Sequence, residues 1–421
     1  MRSSLGSLSP YRINADEAPV ETSRDGSLGQ LLRLLRRHSP ISRADLARLS
    51  GLTAPTVSTG IAKLERRSLV VALGPGSSSG GRRPGLVEFN ARHGYVIGAD
   101  IGGSYARLAL ADLNGTIIGR WHAPLRADRS PKAVTALIGS AVLQLLEQQK
   151  VPVKKVLELV AGAPGITDID AGRVLSAPNL TGWNDVPLRD LLQTETGIPS
   201  TIENDVNLAA LGEGWRGAAR GAANYVFLAI GTGVGAGIVV NHMLHHGANW
   251  AAGEVGYLLV PDLPADVPRQ DKPGALESAV GGRSIEQVWA EMTGSAEVEP
   301  GIKATDVFDL AAQGNQKARE LLQRVAGHLA LAVTNVSLIL DLSLVVLGGG
   351  VGGHAALLDA MRRRLARNEF ARPQLAASSL DGEAQLHGAI WLGIQSAAAS
   401  GFRRSAVEGE NAVPELVAAG T

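Results

Sequence analysis

The sequence predicts an α/β protein that carries a small helical unit near its N-terminal end. Residues 27–66 form three consecutive helical segments, separated by proline and glycine. Further along, a strand, a glycine turn, a second strand and a hairpin occur in this order twice, about 130 residues apart. A repeated supersecondary unit is typical of a duplicated fold, so we expect the α/β part to consist of two lobes with a cleft between them.

Length and composition limit the class of protein. A chain of 421 residues exceeds a single hydrophobic core and predicts two or three domains. Hydrophobic residues make up 45% and charged residues 19%, as in globular proteins. No apolar run approaches the ~18 residues that span a bilayer, so no membrane partner is expected. The absence of cysteine excludes disulfides and thiolate zinc sites, and it fits a cytoplasmic protein.

The two ends of the chain carry little pattern. Residues 1–23 lack an apolar segment, and we interpret them as a disordered leader rather than a signal peptide. Residues 401–421 show no clear periodicity and are also expected to be disordered.

Charge is distributed unevenly, although the whole chain has no net charge. Residues 24–92 contain twelve Lys or Arg and four Asp or Glu, a net charge of +8. The remainder, from position 93 onward, contains 26 basic and 33 acidic residues, a net charge of −7. A basic head on an acidic body suggests a polyanionic partner for the head alone.

The basic head has the start and stop signals of a helix-turn-helix. After a first helix that ends before Pro40, Ser42 caps a second helix with Asp45 at its third position. Gly51 forms a tight turn, and Thr53 then caps a third helix with Pro55 in its first turn. This spacing places the third helix in the position of a recognition helix.

A predicted strand pair, residues 69–73 and 86–89, follows the third helix. The loop between the strands carries Arg82 and Arg83 and resembles the wing of DNA-binding domains. The candidate DNA-binding residues are Thr53, Thr56, Ser58, Thr59, Lys63, Arg82 and Arg83. A helical hairpin for protein contacts is the alternative, but the strand pair, basic loop and charge favour a winged helix-turn-helix over residues 24–90 that binds double-stranded DNA.

Three glycine turns in the acidic body follow strands, and such turns let backbone N–H groups approach a phosphate. The first follows Asp100, which can hold an accompanying Mg²⁺ through water. The candidate phosphate-binding residues are Asp100, Gly102, Gly103, Ser104, Gly231, Thr232, Gly233 and Gly349. Each turn alone is more typical of a plain α/β connection, but three in one chain favour a nucleotide-phosphate cleft or its relic.

Asn204 and Asp205 stand at a predicted strand-to-helix junction, where side chains project into a cleft. Asp205 can accept a proton from a substrate hydroxyl, and Asn204 can hold a neighbouring one. In isolation, an Asn-Asp pair before a helix is more typical of an N-cap.

These motifs together resemble the ROK family (repressors, open reading frames and sugar kinases), over about residues 24–400. The matching segments are 100–104, 163–165, 177–183, 203–213, 231–238, 252–257 and 347–351, together with the helix-turn-helix and the wing at 79–84. The resemblance implies an actin/hexokinase-like (ribonuclease H-like) fold of two α/β lobes over residues 94–400. In the family's kinases, ATP and Mg²⁺ occupy the cleft and the sugar lies below the γ-phosphate.

The resemblance also assigns roles within the cleft. Asp205 corresponds to the catalytic base, if the chain is a kinase. The implied sugar-binding residues are Asn179, Asn204, Asp205, Glu254, Tyr257 and Glu277. Carboxylates and amides suit this role because they pair with adjacent hydroxyl groups.

Departures from the family concern a zinc site of one His and three Cys. Tyr257 stands at the His position, and Pro268, Gln270 and Ala275 stand at the Cys positions. We therefore predict no zinc. Tyr257 also replaces a residue that contacts the sugar in typical members, so the ligand need not be glucose.

Three functions remain open on the sequence. The first, which the sequence favours, is a sugar-responsive regulator whose kinase activity is weak or absent. It is a repressor of carbohydrate genes that sugar releases from its operator, with no cofactor required for DNA binding. The second is an ATP-dependent sugar kinase with an appended DNA-binding domain, and the third is a scaffold that uses its head for protein contacts. A homodimer or homotetramer is expected, because paired heads read paired half-sites.

Overall fold

The computed structural model describes residues 26–75, 85–125, 127–177, 180–261, 272–294, 301–380 and 382–410, without side-chain detail at 75 and 400–410.

The head contains three helices and a small sheet. Its elements are α1 (Gly26–His38), β1 (Ile41–Ser42), α2 (Arg43–Ser50), α3 (Ala54–Arg66), β2 (Val70–Pro75) and β3 (Gly85–Phe89). Ser42 Oγ accepts a hydrogen bond from the Asp45 backbone N–H, 3.1 Å away, and Gly51 ends α2 with a φ of 68°. The strands form an antiparallel sheet in the order β1-β3-β2. The winged helix-turn-helix is confirmed, whereas Arg82 and Arg83 lie outside the described residues.

The first lobe is a five-stranded sheet with helices. Its elements are β4 (Tyr95–Ile101), β5 (Tyr105–Asp112), β6 (Ile117–Pro124), α4 (Pro131–Gln149), β7 (Val156–Ala163), β8 (Ile166–Asp168), β9 (Arg173–Ser176), α5 (Leu188–Thr196), β10 (Ser200–Asn204) and α6 (Asp205–Arg216). The main sheet has the order β10-β7-β4-β5-β6, and β8 and β9 form a separate pair.

The second lobe has a sheet of the same design. Its elements are β11 (Tyr225–Ile230), β12 (Val234–Val240), β13 (Met243–Leu244), α7 (Ala275–Val280), α8 (Gly282–Thr293), α9 (Ala304–Ala312), α10 (Gln316–Leu340), β14 (Leu344–Gly348), α11 (Gly349–Gly352), α12 (Ala355–Leu365) and β15 (Gln374–Ala377). The last helix, α13 (Ala384–Glu410), returns to the first lobe, where it packs against β4, β7 and α6. The strand order is β13-β12-β11-β14-β15.

The two sheets confirm the predicted duplication. In each, the first strand (β4 or β11) pairs antiparallel with the next strand in the chain. On its other edge, the same strand pairs parallel with a later strand, β7 or β14. The carboxyl ends of the parallel strands therefore lie at one edge of each sheet, where the glycine turns and the Asn-Asp pair occur.

The hydrophobic core of the head is continuous with the core of the body. Leu31 and Leu35 of α1 and Phe89 of β3 share one hydrophobic cluster with side chains of β4, β5 and α13. The contributions of α13 are Leu386, Ile390, Ile394 and Ala397. Arg36 adds a polar contact, because its Nη2 donates to the carbonyl of Leu113, 3.3 Å away, while its guanidinium lies over the Phe89 ring. Head and body are thus packed together in this structure.

Helices α6 and α13 pack with their backbones in contact. A Cβ added at Gly212 of α6 would overlap the carbonyl of Ala384, and one added at Gly388 of α13 would overlap the carbonyl of Leu208. Only glycine permits so close an approach.

The last helix is longer than the sequence suggested, since α13 continues through Glu410, ten residues into the segment expected to be disordered. The alanine-rich stretch before position 400 favours this continuation, because each added residue contributes one further helical hydrogen bond. None of the helices within the described residues combines the length and apolar character needed to cross a membrane.

Candidate functional site

The ends of four strands bring the candidate residues of the body together. Asp100 lies at the end of β4, and Asn204 ends β10 where α6 begins with Asp205. Glycine turns follow β11 and β14, which are parallel neighbours in the second sheet. The charges of Asp100 and Glu254 both act on the Asp205 carboxyl, so the three carboxylates converge at one place in the cleft.

Asn204 is the N-cap of α6. Its Oδ1 accepts hydrogen bonds from the backbone N–H groups of Val206 and Asn207, both at 2.9 Å. Its Nδ2 donates to the carbonyl of Gly165, also at 2.9 Å. The N-cap that the sequence favoured for the isolated dipeptide is therefore present, and a sugar contact by Asn204 stays a prediction.

Asp205 has an unusual environment for a carboxyl group. Burial raises the pKa of its carboxyl to about 7, with the negative charges of Asp100 and Glu254 acting in the same direction. The backbone N–H of Val206, which donates to Oδ1 at 2.9 Å, only partly opposes this. A carboxylate with a pKa near neutrality suits a general base.

Asp100 has a partner that the sequence reading did not include. Arg107 on β5 donates to its Oδ2 through Nε at 2.9 Å and through Nη2 at 2.6 Å. Burial raises the pKa of the Asp100 carboxyl, although the charge and hydrogen bond of Arg107 lower it. A Mg²⁺ held through water by Asp100 would have to share this carboxylate with a guanidinium.

Glu254 and Glu277 belong to the second lobe. Burial, followed by the charge of Glu277, raises the pKa of the Glu254 carboxyl. Glu277 accepts a hydrogen bond at Oε2 from the backbone N–H of Val234, 2.9 Å away, which ties it to the second glycine turn. Tyr257 ends a short 3₁₀ turn that begins at Val255. Asn179 lies outside the described residues.

At Gly349 the backbone packs closely against β11, whereas an approach of the glycine turns to a phosphate stays a prediction. Gly349 has a φ of 79°, and a Cβ there would lie 2.5 Å from the carbonyl oxygen of Ile230. The backbone N–H of Gly282 donates to the carbonyl of Gly231 at 2.8 Å, which fixes the second turn. Ser104 and Thr232 are exposed, so their hydroxyl groups are accessible to a ligand.

In the head, one side of α3 is free for DNA. Ser58, Thr59 and Lys63 are exposed on consecutive turns of the helix. Thr53 and Thr56 instead bond to each other through their hydroxyl groups, 2.8 Å apart, in the N-cap of α3. Their predicted DNA contacts would have to coexist with this cap.

The zinc prediction concerns positions that the structure describes only in part. Ala275 begins α7 and Tyr257 is described, whereas Pro268 and Gln270 are not. Among the described residues, no group of three or more His, Asp or Glu side chains is arranged to hold a metal ion.

Sequence reasoning missed Glu203, which is buried and forms an ion pair with His246, 2.7 Å away. An acidic residue within a buried strand is a weak signal of a buried partner, because a lone carboxylate is rarely buried. Nothing in the sequence identifies His246 as that partner, since 43 residues separate the two.

A winged helix-turn-helix joined to two duplicated α/β lobes, with carboxylates and glycine turns in their cleft, defines a DNA-binding protein built on a sugar-kinase-like body. Comparison with known proteins identifies it further. The chain belongs to the ROK family, which matches residues 96–396, and residues 24–71 match the winged helix-turn-helix DNA-binding family.

Relatives of both functional types are similar to this chain. The xylose repressor of Bacillus spizizenii (strain W23) is 29% identical over 353 residues, which cover 83% of this chain and 88% of that protein. The glucokinase of Halalkalibacterium halodurans is 31% identical over 314 residues, which cover 71% and 94%. A crystal structure of a ROK family transcriptional regulator, a homologue of the E. coli Mlc protein, superposes with a TM-score of 0.74 over 91% of this chain and 98% of that one, at 22% identity. This last likeness concerns the fold.

Proposed function

We propose that the chain is a sugar-responsive transcriptional repressor whose head binds an operator and whose cleft binds a sugar that releases the DNA. It acts on genes of carbohydrate uptake or metabolism, in the cytoplasm, and needs no cofactor to bind DNA. Support comes from the exposed face of α3, the net charge of the head and the similarity to a xylose repressor over both parts of the chain.

A single observation carries the coupling between sugar and DNA. Helix α6, which begins at Asp205, packs against α13 with backbone contact at Gly212 and Gly388. The same α13 contributes Ile390 and Ile394 to the core that it shares with α1 of the head. A shift of α6 on sugar binding therefore has a short mechanical route to the head, as a switch between two states requires.

DNA binding is tested with the full chain and an operator selected from random duplexes. We expect affinity to fall steeply with salt, because Lys and Arg displace counterions from the phosphates. A panel of pentoses and hexoses, including D-xylose and D-glucose, is then screened by thermal shift, since a ligand raises the melting temperature by mass action. A sugar that raises the melting temperature should weaken operator binding; unchanged affinity at saturating sugar would contradict the proposal.

An ATP-dependent sugar kinase is the second candidate, favoured by the environment of Asp205. With a pKa of about 7, this carboxylate can take the proton of a sugar hydroxyl as the hydroxyl oxygen attacks the γ-phosphorus and ADP leaves. ATP with its bound Mg²⁺ is then the second substrate, and the glycine turns of β4, β11 and β14 would hold the phosphates. ADP release with the same sugar panel tests this. ATP turnover that Asp205→Asn abolishes supports a kinase, and no turnover with any sugar of the panel leaves the repressor as the one proposed function.

We also propose that the chain forms a homodimer or homotetramer. Leu338 and Ile339 near the end of α10 are 61% and 81% exposed, and Phe370 is 87% exposed. Asn368 bonds to Thr334 through Nδ2 at 2.8 Å, which places the Phe370 segment beside the same part of α10. Large apolar side chains grouped on a surface favour association, and a second copy would pair the heads for two half-sites.

A further inference from the structure

A buried ion pair joins the two lobes next to the Asn204–Asp205 turn. His246 Nε2 lies 2.7 Å from Glu203 Oε2, and the two residues are 6% and 2% exposed. Glu203 lies on β10 of the first sheet, whereas His246 follows β13 of the second sheet. The contact therefore links the first lobe to the second. Neither Glu203 nor His246 belongs to the glycine turns or to the proposed sugar contacts.

The other oxygen of Glu203 holds the turn that carries the site. Glu203 Oε1 accepts from the backbone N–H of Asn204 at 2.8 Å and from Nδ2 of Asn207 at 3.0 Å. Asn207 is buried in the first turn of α6. One carboxylate thus fixes both the residue before Asp205 and the helix turn after it, while its second oxygen is bound by the opposite lobe.

We propose that His246 is a positioning residue of the sugar site, which holds Glu203 from the second lobe and so fixes the Asn204–Asp205 turn. This inference rests on the proposed sugar-binding function and adds the residue that sets the geometry of that site. Removal of His246 leaves Glu203 as a buried carboxylate without its cationic partner, and such a group relaxes toward water or takes up a proton. In either case the hydrogen bonds to Asn204 and Asn207 weaken.

The surroundings of His246 favour a proton on its ring. Burial lowers the pKa of the imidazole. The hydrogen bond and charge of Glu203 and the charge of Asp170 raise it by more than burial lowers it, so the pKa lies above its ordinary value. Asp170 lies in the turn between β8 and β9, and Trp250 packs against the ring edge-on, with centroids 5.4 Å apart. Trp250 has a φ of 63°, which a bulky side chain rarely adopts.

The test compares His246→Leu, which removes the donor, with His246→Gln, which keeps a neutral N–H donor. His245→Leu is the matched control, because His245 is the neighbouring residue and is exposed. Calorimetric titration of the full chain with D-xylose and with D-glucose should show at least tenfold weaker binding for His246→Leu. His246→Gln should recover most of the affinity, and the control should match the native chain. Native affinity in a folded His246→Leu chain, or no recovery in His246→Gln, would overturn the proposal.

A measurement without ligand separates this proposal from the proposed function. Amide hydrogen exchange of the segment 202–210 should accelerate at least tenfold in His246→Leu but not in His246→Gln or the control, because the cap of α6 opens locally. Unchanged exchange would overturn the positioning role, even where neither sugar binds the native chain. If His246→Leu fails to fold, His246→Ala takes its place, because its side chain also has no donor for Glu203. Absence of sugar binding with accelerated exchange would count against the sugar site and for the positioning role.

Discussion

Replacement of Asp205 by Asn should stabilise the sugar-free protein at alkaline pH. The folded state holds the Asp205 proton up to a pKa of about 7, whereas an unfolded chain releases it near 3.9. Above pH 4 the folded state therefore binds more protons than the unfolded state, and the stability contributed by this group falls until the pH passes about 7. Asparagine carries no charge at any pH and removes this loss.

The pKa shift sets the size of the effect. A shift of about three pKa units corresponds to at most about 4 kcal/mol at 1.36 kcal/mol per unit. Asp205 is partly exposed, and protonation of Asp100 or Glu254 relieves the same repulsion, so we expect about 1–2 kcal/mol at pH 8. Roughly two-thirds of this gain should develop between pH 5 and pH 8, where the folded carboxyl titrates.

Urea unfolding followed by tryptophan fluorescence at pH 5 and pH 8 measures the gain of the Asp205→Asn chain over the native one. Asp190→Asn is the control, because this carboxyl lies on α5 with its side chain 72% exposed. It should produce no pH-dependent gain. The reasoning is wrong if the advantage of Asp205→Asn is the same at both pH values, or if the native chain is the more stable one at pH 8.

Three other changes test the head, the helix pair and the assembly. Lys63→Ala should weaken operator binding, measured by fluorescence anisotropy, and reduce the slope of log affinity against log salt by about one. Lys132→Ala, at an exposed position in the body, should leave this slope unchanged. Gly388→Ala should lower the free energy of unfolding, measured by thermal unfolding, by about 1–3 kcal/mol, because the added Cβ overlaps a carbonyl of α6. Gly353→Ala, which has open space around the added Cβ, should lower it far less. Equal losses of stability in the two variants would refute the packing argument. Ile339→Asp should shift the mass measured by light scattering towards the monomer, and an unchanged mass would exclude this face of α10 from the proposed interface.

Local signals in the sequence predicted most of the head and the glycine turns. Ser42 and Thr53 cap their helices as expected, because an N-cap depends on residues only two or three positions away. The duplicated strand and turn pattern was recognisable for the same reason. Asn204 shows the limit of such signals, since one dipeptide fitted both an N-cap and a ligand contact, and the structure shows the cap.

Contacts between distant segments could not be predicted in this way. His246 reaches Glu203 from the other lobe, 43 residues along the chain. The helix α13 is rich in Ala, Leu and Ile on several faces, so its pattern predicts burial but not which elements cover it. The core that it shares with α1 joins segments about 350 residues apart.

The close packing of α6 and α13 limits how a sugar can act on the head. Backbone contact at Gly212 and Gly388 leaves no room for side chains to absorb a shift, so the two helices should move as one unit. Such a movement must displace Ile390 and Ile394 from the core that they share with the head. A coupling free energy of about 1–3 kcal/mol, enough for a 5- to 150-fold change in DNA affinity, is comparable to the loss of one buried aliphatic side chain from a core. A partial loss of head–body packing is therefore sufficient for release of the operator, without unfolding of either part.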